Sequence, residues 1–173
     1  MAWMEILHRS PGSILWVLAD NEWARSNMLN RALQSGIDAA RIVFAPRVVP
    51  SLYMARLRLA DVFLDTFPYN AGTIASDAIR MGLPLVTLSG RSFASRMAGS
   101  LLRATGAGHG ITTSLPDYIK LAVLLATDKA TLDAHKSLVG ITNWHRGIGD
   151  IAAFTASYEN SLIAVTGYNT GRR

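Results

Sequence analysis

One stretch of the chain sets small polar and charged residues at a spacing suited to chemistry. Asn70-Ala71-Gly72-Thr73-Ile74-Ala75-Ser76-Asp77 follows the apolar run Val62-Phe63-Leu64 and the turn former Pro68. The order reads strand, loop, helix. Gly72 and Thr73 at a helix start offer backbone amides and a hydroxyl that can hold a phosphate against the positive end of the helix dipole. Asp77 lies four residues after Thr73, on the same helix face, where a carboxylate can accept hydrogen bonds from ribose hydroxyls. The same residues also fit a plainer role, in which Thr73 only caps the helix and Asp77 is solvated. Both readings stay open on the residues alone.

Other constellations carry less. His8, His109, His135 and His145 show no ligand spacing, so no metal is expected. Gly106-Ala107-Gly108-His109-Gly110 imitates a phosphate loop, but it follows a helix where a dinucleotide fingerprint must follow a strand, and it reads as a helix-ending turn. Ser89 to Arg96 holds hydroxyls without a nucleophile elbow, which argues against a hydrolase; on the residues alone Phe93 and Ala94 pack and Arg96 is solvated. The arginines are scattered, without the cluster or stacking platform of a nucleic-acid binder. Trp3, Trp16 and Trp23 sit in apolar stretches and are expected in the core, whereas Trp144 has no evident place.

Four short apolar runs, Ile14–Leu18, Ile42–Phe44, Val62–Leu64 and Leu85–Leu88, read as buried parallel strands. Helices are expected over Glu22–Ser35, Ser51–Leu59, Thr73–Met81 and Ser95–Ala104, with Gly36, Gly82 and Gly106 as stops. Beyond about residue 112 the pattern becomes helical, with Leu115–Thr127, Ala130–Val139 and Ile151–Val165 expected to pack back on the sheet and no strand between them. The chain therefore reads as α/β, a Rossmann-like parallel sheet with a C-terminal helical tail. Residues 1–166 form a single lobe and 167–173 a polar tail. Such sheets bind ligands at the carboxyl ends of their strands.

Composition bounds the rest. Of 173 residues, 50% are hydrophobic and 17% charged, enough for one sizeable core. The +5 net charge permits anionic partners. Without a cysteine, disulfides, thiolate chemistry and cysteine–zinc sites are excluded. The N-terminus lacks the features of a signal peptide, and no apolar run approaches the roughly 20 residues of a membrane helix, so a cytoplasmic protein without a membrane partner is expected.

Leu59 to Asp77, Gly82-Leu83-Pro84-Leu85-Val86-Thr87-Leu88-Ser89-Gly90 and Ser92-Phe93-Ala94-Ser95-Arg96 together resemble the C-terminal catalytic lobe of SPINDLY-like O-linked N-acetylglucosamine transferases. Trp3 to Leu18 is similar to that lobe's helix and strand, and Arg41-Ile42-Val43-Phe44-Ala45-Pro46 to its next strand and loop. The resemblance spans nearly the whole chain. It implies one half of a GT-B glycosyltransferase that takes UDP-N-acetylglucosamine as donor, needs no cofactor or metal, and modifies serine or threonine hydroxyls of proteins.

Carried over by position, the resemblance implies that Thr73 contacts the donor diphosphate, Asp77 the ribose, and Arg56 the diphosphate, where it stabilises the leaving group. Arginine suits that task because its donors are fixed and always charged. Gly72 and Tyr53 complete the expected donor site. Two positions depart from the pattern: Ile74 stands where the family usually has a second threonine, and Tyr53 where it has a histidine. Tyr53 can offer a hydroxyl or stack on a base.

The family's preceding strand, with a loop carrying a glutamine and a lysine, is absent before Trp3, as are the N-terminal lobe and the helical repeats that meet protein acceptors. The resemblance thus implies a sheet lacking its first strand, with an unpaired edge that lowers stability or drives self-association. A donor-binding portion, inactive without the missing lobe, is the first expectation. A non-catalytic nucleotide-binding or interaction module that retains the fold is the second.

Overall fold

The structure is a computed structural model, and residues 2–167 are described; the polar tail expected at the C-terminus lies outside them from 168 onward. In chain order the elements are α1 (Ala2–Arg9), β1 (Leu15–Leu18), α2 (Glu22–Gln34), β2 (Ile42–Ala45), α3 (Pro50–Leu57), β3 (Phe63–Leu64), α4 (Thr73–Arg80), β4 (Leu85–Leu88), α5 (Met97–Ala104), β5 (Ile111–Thr112), α6 (Leu115–Thr127), α7 (Lys129–Ser137), α8 (Ile141–Gly147) and α9 (Ile151–Thr166). Every strand pair is parallel, as helical crossovers between successive strands require.

The strands form two blocks. β1 pairs with β2 in the register Leu15 to Ile42, and β3, β4 and β5 pair in that order through Phe63 with Leu85 and Thr87 with Ile111. Among the described residues, β1, β2, β3 and β5 each keep one edge unpaired. The helix α1 bridges the blocks because it carries two apolar faces. Met4 and Leu7 pack with Ile42, Leu15 and Val17, while Ala2 and Ile6 pack with Val86, Val62 and Leu64. Trp3 touches both clusters, which gives one of the expected core tryptophans its place.

On one side of β4, Ile79 of α4 and Leu102 of α5 close over Leu85; on the other, Tyr118 and Leu125 of α6 close over Val86. Each such side chain contributes about 1.5–3 kcal/mol by leaving water. Helix endings follow the expected glycines: Gly36 and Gly82 adopt φ of 68° and 81°, where a side chain would strain the backbone.

Four expectations need correcting. A fifth strand, β5, joins β4, and at two residues it is too short to leave a periodic signal. A further helix, α8, fills the gap between the expected tail helices, its start marked only by Gly140. Trp23 is 84% exposed rather than core, because it stands nine residues before Ala32, the one buried residue of α2, and so about 180° around the helix; Trp16 is also more than one-third exposed. Finally, α9 does not pack back on the sheet: none of its residues is buried.

Candidate functional site

The stretch singled out for its chemistry lies at the carboxyl ends of β3 and β4, and a buried carboxylate organises it. Asp65, just beyond β3 and fully buried, accepts from the Thr66 amide at 2.9 Å and the Ala71 amide at 2.8 Å, and its second oxygen accepts from the Thr87 hydroxyl at 2.6 Å. Burial pushes the Asp65 pKa up, and the hydrogen bonds from Thr87, Ala71 and Thr66 oppose that rise. Asn70, also buried, donates to the Thr66 carbonyl at 2.9 Å, and its own amide donates to the Ala94 carbonyl at 3.0 Å. The loop between β3 and α4 is thereby closed on itself and tied to the loop after β4.

Sequence reasoning assigned no role to Asp65 or Asn70. The available signal was an acidic residue at a strand end followed by a loop of small residues, and that signal is shared with solvated aspartates.

The closed loop delivers Gly72 as the N-cap of α4, where no side chain caps the first turn. Thr73 is therefore the first helical residue, exposed, and not the cap that the plainer reading made it. One turn on, Asp77 is half-buried rather than solvated, and the buried hydroxyl of Tyr53, from α3, lies against it without a hydrogen bond of acceptable geometry. Burial first, and the Asp77 carboxylate second, push the Tyr53 pKa up to about 12, so its phenol holds its proton at neutral pH. Gly72, Thr73, Asp77 and Tyr53 thus come together.

Arg56 makes its contacts elsewhere. Its guanidinium donates to the Pro46 carbonyl at 2.8 Å and stands over the Trp16 ring, 5.6 Å from the centroid. It is committed to the ends of β1 and β2, and the ion pair of Arg47 with Asp20 lies in the same loop region.

The loop after β4 borders the site from the other side. Ser92 and Ser95 interlock, each hydroxyl accepting from the other's amide at 3.0–3.2 Å, and Gly90 donates to the Ser95 carbonyl at 2.8 Å. Phe93 is 75% exposed, so packing is not what it does. Met97, at the start of α5, comes close to Gly72: a Cβ there would sit 3.6 Å from its side chain.

Among the described residues no group of three or more His, Asp or Glu gathers where a metal ion could bind, and no helix is long and apolar enough to cross a membrane. The fold and the site define a parallel α/β lobe with an uncapped helix N-terminus at the carboxyl edge of its sheet, the geometry of nucleotide-binding lobes.

The chain belongs to glycosyl transferase family 41, whose family model matches residues 1–157. It is 39% identical, over 133 residues, to a probable UDP-N-acetylglucosamine–peptide N-acetylglucosaminyltransferase of Arabidopsis thaliana, SEC, covering 76% of this chain and 14% of that protein. Over 160 residues it is 31% identical to the UDP-N-acetylglucosamine–peptide N-acetylglucosaminyltransferase of Caenorhabditis elegans, covering 92% of this chain and 14% of that protein. A solved structure of a mutant O-GlcNAc transferase from Thermobaculum terrenum superimposes with a TM-score of 0.84 at 28% identity, covering 93% of this chain and 32% of that one. The chain therefore spans less than one-third of the length of each of these relatives.

Proposed function

We propose that residues 1–166 form the donor-binding lobe of a UDP-N-acetylglucosamine-dependent protein O-glycosyltransferase. The observation that carries this reading is the uncapped N-terminus of α4 with Thr73 and Asp77 on one stripe. The free first-turn amides and the Thr73 hydroxyl take the diphosphate, and Asp77 takes the ribose hydroxyls. The Tyr53 phenol, neutral and close to Asp77, lines the nucleoside side.

Arg56 holds the Pro46 carbonyl through one of its five N–H donors, and its leaving-group role falls to the remaining ones. The helix dipole and arginine neutralise the phosphates here, and UDP affinity is expected to be the same with and without EDTA. The acceptor hydroxyl and its base belong to a part of the enzyme outside this lobe, and the lobe alone transfers no sugar at a measurable rate.

Calorimetric titration with UDP of the chain, Asp77→Ala and Arg56→Ala tests the reading. Weaker binding in both variants supports it, whereas a folded chain that binds no UDP overturns it. A second reading, a module that retains the fold without transfer chemistry, is favoured by Ile74, which cannot donate to phosphate, and by the engaged state of Arg56. It predicts UDP binding that Arg56→Ala leaves unchanged.

A further inference from the structure

The helix α4 has little of its own to fix how it is turned. It is eight residues long, its first turn has no side-chain cap, and two of its three buried residues, Ala75 and Ala78, are shallow knobs that interlock weakly. Its orientation nevertheless decides where Thr73 and Asp77 project. The contact that grips it comes from α8, an element with no part in the site itself.

Trp144 of α8 donates from its indole Nε1 to the Ser76 hydroxyl at 2.9 Å, and the Arg80 guanidinium stands over the same ring, 5.1 Å from the centroid. Ser76 and Arg80 are one turn apart on α4, so a single indole holds two successive turns of one stripe. That stripe lies about 100° from the one bearing Asp77. The Gly140 amide adds a bond to the Ile79 carbonyl at 2.8 Å, and the Trp144 ring packs into the cluster of Ala75, Ile79 and Leu102.

The seat of α8 is close: a Cβ on Gly147 would fall 2.0 Å from the Ala104 carbonyl oxygen, and one on Gly149 would fall 2.4 Å from the Trp144 ring. Glycine at both positions lets α8 press the indole onto α4.

We propose that Trp144 is a positioning residue for the nucleotide site, fixing the rotation of α4 through Ser76 and Arg80 and so the direction of Thr73 and Asp77. The nucleotide part of this inference rests on the donor-lobe reading; the grip on α4 does not.

The test uses the full chain with Trp144→Phe, Ser76→Ala and Ser76→Thr. Amide hydrogen exchange across α4 and β4 is measured beside calorimetric UDP affinity and the melting temperature. Trp144→Phe keeps an aromatic ring under Arg80 but loses the Nε1 donor and part of the indole's packing; Ser76→Ala loses the acceptor; Ser76→Thr keeps it.

In Ser76→Ala, exchange in α4 is expected to accelerate, and UDP affinity to fall, by about fivefold, the worth of one hydrogen bond, and in Trp144→Phe by at least as much. β4 should stay protected, Ser76→Thr should match the parent, and the double variant Trp144→Phe/Ser76→Ala should be no worse than Trp144→Phe alone. Unchanged α4 exchange in both single variants, or a loss that Ser76→Thr shares, overturns the proposal. If the parent binds no UDP, the donor-lobe reading and the nucleotide part of the proposal fail together, while the exchange measurement still decides the grip on α4.

Discussion

The phenol of Tyr118, in α6, donates to the main-chain oxygen of Asp65 at 2.9 Å, joining residues 53 apart in sequence beneath the candidate site. The indole of Trp3, in α1, donates to the same phenol at 3.3 Å. One hydroxyl thus connects the bridging helix, the helical tail and the end of β3, the point from which the site loop departs. Burial and the nearby Asp65 push the Tyr118 pKa up while Trp3 opposes them, so this phenol never ionises in the working pH range.

Tyr118→Phe removes the donor to Asp65 and the acceptor for Trp3 while leaving the ring in place. The expected loss is about 1–3 kcal/mol, the cost of buried groups left unpaired. For a chain of this length each kcal/mol corresponds to a fall of about 2–4 °C in melting temperature. Calorimetry of the two proteins checks this, and an unchanged melting temperature refutes it.

Asp65 makes the pH dependence of stability run against the usual direction for an aspartate. Its folded pKa is raised, so its contribution is complete below the ordinary carboxylate pKa of about 4 and is lost as pH rises through the raised folded value. Asp65→Asn does not titrate there. Its Oδ1 can still accept from the Thr66 and Ala71 amides, with Nδ2 facing Thr87. The stability of the parent relative to Asp65→Asn, from urea unfolding at a series of pH values, should therefore decline upward from about pH 4. A difference that grows with pH would show that the hydrogen bonds outweigh burial.

Ile74 sits in the first turn of α4, half-exposed, where its side chain has no polar group to offer a phosphate. Ile74→Thr adds a hydroxyl donor at little cost to packing. UDP should bind about tenfold more tightly, the gain of one hydrogen bond to a charged oxygen at its lower limit. Titration of the two proteins side by side decides it; equal affinities place the diphosphate away from this turn.

Gly110 closes the turn between α5 and β5, and a Cβ there would lie 2.1 Å from the Leu85 carbonyl oxygen and 3.2 Å from Leu102. The first neighbour is strand backbone and cannot swing aside. Gly110→Ala should cost about 1–3 kcal/mol through overpacking. Gly108→Ala, in the same turn with nothing within 4 Å, should be nearly silent. Denaturant midpoints of the pair separate a close approach from general glycine flexibility.

Much of the site and fold was legible in the residues. The strand-loop-helix order around Thr73 and Asp77 follows from apolar runs and helical spacing, and Gly36 and Gly82 announced helix ends because the left-handed backbone they adopt strains any other residue. The family was legible because long ordered motifs persist over residues 1–157. These are local properties, each decided within a turn or a strand of its neighbours.

What lay beyond the sequence depends on which distant surfaces meet. Arg56 was read as a phosphate ligand from its position, and only packing shows its guanidinium over Trp16 and against the Pro46 carbonyl. Asp65 became the hub of a loop only because Thr87, 22 residues on, is brought beside it by strand pairing. Trp144 acquired a partner 68 residues away, in Ser76, through the seating of α8. The sequence alone determined the longer elements, several of their glycine-marked ends and the family, because burial periodicity and backbone preference are written locally. The tertiary structure decided which polar groups were buried and which cation was already engaged, because desolvation and hydrogen-bond geometry exist only once separate elements are packed together.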